Sequence, residues 1–160
     1  MKTSLKSLRT MAVAIAICTG VSVNADALPQ EGIGIGAIVG EPTGVSFKKW
    51  TDDTHAVDAA FAFSLTKGNA FQFHADYLIH NTSASVPELK GSLPWYYGIG
   101  GRFKADNGNT RVGVRIPVGI SYKFADAPLD FFAEVAPVVD IAPDVTLRFN
   151  GALGLRYYFK

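Results

Sequence analysis

His74, Asp76 and His80 stand two and four residues apart in FHADYLIHN (73–81). On an extended strand that spacing puts all three on one face. Two imidazoles and a carboxylate are donors that a divalent metal accepts, and His80 with Ser83 or Ser85 pairs a base with a nucleophile. Neither constellation is completed by its neighbours. The metal reading has only three donors in view, and the many arginines of the chain can neutralise Asp76. The nucleophilic reading needs the base oriented by a third group, and no acid is placed for it. The run GIGIGA (32–37) satisfies the loose dinucleotide fingerprint, which requires a strand before it and a helix after it. Here Glu41-Pro42 follows instead. The sequence therefore predicts no catalytic residue, no cofactor and no metal.

The first residues set the compartment. Lys2, Lys6 and Arg9 precede the 13-residue apolar run MAVAIAICTGVSV, and Val23-Asn24-Ala25 offers short side chains where a signal peptidase reads. We read residues 1–25 as a secretory signal peptide cleaved after Ala25, and 26–160 as one domain. The apolar run is too short to cross a bilayer as a helix, which takes about 20 residues. Cys18, the single cysteine, lies inside it and follows Ile17 rather than the small residue lipidation needs. The mature chain then has no disulfide. Loss of three basic residues takes fifteen to twelve against fourteen acidic, a net charge of −2. No basic surplus remains for nucleic acid.

Period-2 alternation recurs along the mature chain, broken by turn clusters at even spacing. It predicts eight strands: 32–40, 45–51, 56–65, 70–80, 94–104, 110–124, 130–141 and 146–159. The clearest hairpin turn is Asp106-Asn107-Gly108-Asn109. The longest connection, 81–93, falls on the same side as the N-terminus. Pro117 and Pro137 interrupt the sixth and seventh strands, where each removes a ladder donor. A bulge or a weakened pairing is expected there, with a one-residue slip of the faces beyond it.

One face of these strands carries more than two dozen large apolar residues, from Phe61 and Phe63 to Leu153, Leu155, Tyr157 and Phe159. The other carries Lys48, Asp58, His74, Asp76, Arg102, Arg115, Glu134, Asp140, Arg148 and Arg156, with Lys104, Arg111 and Lys123. Glycine and alanine stand between them. Volume decides which face is inside. An eight-stranded barrel has room only for a single filling of side chains, so the polar and small set goes inward and the apolar set faces hydrocarbon. The fold predicted is all-β: an eight-stranded antiparallel up-and-down transmembrane β-barrel. Inward charges in a narrow lumen must pair. Glu134 near mid-strand is expected to serve Arg115, Arg102 and Arg148, closing the lumen. Trp50, Trp95, Tyr96, Tyr122, Phe124, Tyr157, Tyr158 and Phe159 near strand ends are expected to form interfacial girdles.

The runs GEPTGVSFKKW (40–50), FHADYLIHN (73–81), LPWYYGIGGRF (93–103), RVGVRIPVGISYKF (111–124), PLDFFAEVAPVVD (128–140) and GALGLRYYF (151–159) resemble a family of uncharacterised small bacterial outer-membrane barrels with a Borrelia relative. That family has the OmpA/OmpX-type eight-stranded architecture. The resemblance implies outer-membrane location, a monomer, contact with outer-membrane lipids, and delivery by the barrel-assembly machinery. Tyr157 and Phe159 resemble the C-terminal signal that this machinery reads, with Lys160 after them a departure from a terminal phenylalanine. The spirochaete relative is linked to binding a host complement regulator, a property not carried over to loops this short. The function expected is a closed barrel with a structural or binding role. The alternatives are a lipid A deacylase-like enzyme using His80 and a small anion or solute channel.

Overall fold

The computed structural model describes residues 32–64, 70–81, 91–106 and 108–159. Residues 1–25, expected to be a signal peptide, and Ser83, Ser85 and Lys160 lie outside them. Ten strands follow in chain order: β1 (Ile33–Gly40), β2 (Gly44–Trp50), β3 (His55–Ser64), β4 (Ala70–Asn81), β5 (Gly91–Ser92), β6 (Trp95–Asp106), β7 (Asn109–Arg115), β8 (Val118–Phe124), β9 (Leu129–Ala142) and β10 (Thr146–Phe159). All pairings are antiparallel, and β1 pairs with β10 from Ile33 opposite Phe159 to Gly40 opposite Ala152, which closes the sheet into a ring. The two-residue β5 joins only the end of β8. β7 and β8 are the two halves of one wall strand, since both lie between β6 and β9. The wall is thus eight strands, as the alternation predicts.

The prolines break the ladder without turning a face. The Ile116 N–H donates to the Pro137 carbonyl at 3.0 Å and the Gly98 N–H to the Pro117 carbonyl at 2.9 Å. Each proline thus keeps its acceptor and withholds its donor. Ile116 and Val118 both point outward around a buried Pro117, and Val135 and Val139 stay outward around Pro137. The expected bulge lies elsewhere: Val112 faces Ala142 while Gly113 faces Asp140, leaving Ile141 as the extra residue.

Side chains alternate strictly between the two faces. On β10, Leu153, Leu155 and Phe159 are exposed while Ala152, Gly154, Arg156 and Tyr158 are buried. Inward glycines make room for inward rings, as the volume argument requires. A Cβ at Gly119 would meet the Tyr96 ring at 2.4 Å, and one at Gly154 the Phe132 ring at 2.3 Å. The connections at the end away from the start of β1 are short, Glu41–Thr43 and Pro143–Val145 among them.

Candidate functional site

The chemistry of this chain is inside the barrel. Register explains why the charges meet: inward positions of neighbouring strands fall opposite one another, so Lys48 faces Asp58, Asp58 faces Asp76, and His74 faces Arg102. Three linked groups of contacts result.

Near the end where β1 begins, the Lys48 ammonium lies 2.8 Å from His80 Nε2 and 3.9 Å from Asp130. The Trp50 ring sits 4.4 Å from the His80 ring, with Lys123 Nζ 3.8 Å above it. Asp130 accepts from the Tyr158 hydroxyl at 2.8 Å. Arg156 joins this group to the next, donating through Nε to Ser46 at 2.8 Å and through Nη2 to Asp58 at 2.8 Å. Its guanidinium also lies 3.8 Å over the Phe132 ring. In the middle, Arg115 bonds Glu134 through Nη2, and its Nε lies 3.2 Å from Asp76. The Tyr96 hydroxyl donates to the other oxygen of Glu134 at 3.0 Å. Toward the far end, Asp140 accepts from Arg102 and from Arg148, and Arg102 also reaches Asn150 at 3.2 Å.

Several placements differ from the sequence expectation. Glu134 takes Arg115 alone of the three arginines expected of it, because Arg102 and Arg148 sit at the height of Asp140. Arg148 is at the rim, its side chain 45% exposed. Tyr96 and Tyr158 are buried lumen donors rather than girdle residues, and Trp50 packs on His80 and Lys123. Parity separates them: Trp95 and Tyr97 point outward, so Tyr96 must point inward. Asp130, four residues before Glu134 on the same face, escaped notice because it opens its strand. His80 lies in the lumen against Lys48, not on the outer wall. His74 and Asp76 are together, but the third potential ligand beside them is Asp58 rather than His80.

No family model matches the chain, and no curated protein matches it. Its fold is that of a solved barrel. The structure is similar to the N-terminal β-barrel domain of Pseudomonas aeruginosa OprF, with a TM-score of 0.55 and 12% sequence identity over 79% of this chain and 95% of that one. At this identity the likeness speaks for the architecture.

Proposed function

We propose that the protein is a small outer-membrane β-barrel with a closed, polar-plugged lumen and a structural or binding role without catalysis. The observation that carries this reading is the inversion of the usual arrangement. Arg115, Arg156, Lys48 and five carboxylates are buried, while large apolar residues on every wall strand stay exposed, Val135 at 56% and Ile99 at 59% among them. In water that outer surface would be an association hazard; in hydrocarbon it is the stable arrangement. Outward tyrosine and tryptophan (Tyr77, Trp95, Tyr97, Tyr122, Tyr157) gather at the end where β1 begins, which fits a headgroup-level belt. The opposite rim has phenylalanines such as Phe63 and Phe149 in their place. The likeness to the OprF barrel supports the same reading, as does the sequence resemblance to small outer-membrane barrels.

The lumen favours closure over conduction, since its charges are held by one another along its length. The position of His80, turned inward onto Lys48, speaks against an outward catalytic base acting on lipid. Membrane fractionation with a heat-modifiability gel tests the proposal. The protein should partition with the outer membrane and migrate faster unheated than boiled. A detergent-free soluble monomer would overturn it. Planar bilayers should record no steady conductance.

A further inference from the structure

β1 and β2 are eight and seven residues long, against fourteen each for β9 and β10. A strand that crosses an outer membrane takes about 9–11. The short hairpin is flush with its neighbour where β1 begins, since Ile33 pairs with Phe159. It stops early at the other end. Pairing of β1 with β10 finishes at Gly40 opposite Ala152, and one more bond runs from the Glu41 N–H to the Gly151 carbonyl at 2.9 Å. Beyond it β10 reaches back to Thr146, paired with β9 alone. On the other flank, β3 runs on from Ala62 to Ser64 past its last partner on β2. The rim of the ring therefore has a notch where two strands are missing, and three strand spacings of about 4.8 Å separate β10 from β3 across it.

Backbone parity fixes what the notch exposes. The Gly151 carbonyl points to the β1 side, and alternate residues of an antiparallel strand share a side. The N–H and C=O groups of Leu147 and Phe149 are thus directed into the notch, where no described residue pairs with them. Tyr157 marks the headgroup belt at the opposite end. At about 3.3 Å per residue and a tilt of about 40°, Phe149 lies about 20 Å above Tyr157 and Leu147 about 25 Å. Gly40, on the same basis, is only about 13 Å above Ile35, the partner of Tyr157. The hydrocarbon band is about 25 Å tall, so the free edge lies in its upper part, where bare backbone groups are costly. The outward side chains there are apolar, Leu147 60% and Phe149 66% exposed. Between them Arg148 points inward, 45% exposed, with its Nε on Asp140 at 3.0 Å and its Nη groups free of any described partner.

We propose that this edge of β10 is a strand-addition site. An extended segment of another protein, apolar at alternate positions with an acidic residue between them, pairs with Leu147–Phe149 and fills the notch. The proposal rests on the outer-membrane reading above. Unpaired main-chain groups call for main-chain partners, which acyl chains lack. A second copy of this chain does not fit. Two identical edges pair antiparallel about a dyad normal to the sheet, and that dyad would set one barrel upside down in the membrane. The acidic residue of the added strand lies across from Arg148, where opposite charges on neighbouring strands attract.

The test uses the full-length protein in lipid nanodiscs, after its heat-modifiability has been checked. The probe is a short capped peptide that alternates valine with serine around one central aspartate and carries a fluorophore. It should bind saturably by anisotropy, and amide exchange at Leu147 and Phe149 should slow at least tenfold. The same peptide N-methylated on its valines keeps the apolar face but loses the donors, and it should bind at least tenfold more weakly. Lysine in place of the aspartate should weaken binding to a similar degree. Leu147→Pro removes a donor that β9 does not use and should abolish binding; the methylated peptide probes the same contact without altering the barrel. Equal binding by the methylated peptide or by Leu147→Pro overturns the proposal, as does a heat-modifiable barrel that binds no peptide. Exchange at Leu147 and Phe149 that is fast and unmoved by the peptide overturns it too, because water then wets the notch. A detergent-free soluble monomer instead overturns the outer-membrane reading itself.

Discussion

Replacing Arg115 with methionine probes whether the lumen is dry. The Arg115 side chain is 1% exposed and its two acceptors, Glu134 and Asp76, are 4% and 0% exposed. Methionine keeps much of the length and removes the charge, stranding two carboxylates at once. Removing one partner of a buried pair costs about 3–5 kcal/mol, and with two acids affected the upper end is expected. That is a large share of a stability of about 5–15 kcal/mol. Adding Glu134→Gln to Arg115→Met removes one stranded charge and keeps an acceptor for the Tyr96 hydroxyl, so about 2 kcal/mol should return, within the range of contacting pairs. The assay is urea unfolding in detergent micelles, followed by the fraction migrating as folded barrel on unheated gels. If Arg115→Met costs less than about 1 kcal/mol, the value of a solvent-exposed pair, the reasoning fails. The lumen would then hold water and screen its charges, and a conducting path would become the better reading.

Three further outcomes follow from the wall and its turns. Val135→Arg places a charge on the outer face and should cost about 2–4 kcal/mol in a lipid bilayer; an effect within about 0.5 kcal/mol, usual for a watery surface, would argue against hydrocarbon there. Gly36→Ala puts a Cβ 1.8 Å from the Leu155 carbonyl oxygen, whereas Gly151 has open space around it. Gly36→Ala should therefore weaken barrel closure by about 1–3 kcal/mol, and Gly151→Ala should leave the unfolding midpoint unchanged. In the turn before β3, the Thr54 backbone N–H and then the His55 side chain hold the Asp52 carboxyl below its ordinary range. Because the folded-state value is depressed, this contribution is complete above the unfolded Asp value of about 3.9 and is lost only as pH falls through the lower folded value. Amide exchange at Thr54 and His55 should stay slow at pH 4 and accelerate in stronger acid; acceleration already at pH 5 would contradict the sign.

The sequence by itself determined the architecture, because a period of two and a volume limit are local and additive quantities. Eight alternating runs fix eight strands, and the bulk of one face against the smallness of the other fixes which face is inside. The same parity placed Lys48, Arg102, Arg115, Arg156 and the opposing acids in the lumen. Register was out of its reach. Which carboxylate meets which arginine depends on how far each strand slides along its neighbour, and turn residues alone do not set that. Glu134 looked central by its position along its strand, yet the slide of β10 and β6 brings Arg148 and Arg102 to Asp140 instead. Tyr96, Tyr158 and Trp50 looked like girdle aromatics by proximity to strand ends, although the parity of their own strands, shared with Gly98, Arg156 and Lys48, already turns them inward. The meeting of Asp58 with Asp76 and His74 is likewise a fact of register: residues 18 apart in sequence become neighbours because β3 and β4 pair at that position and at no other.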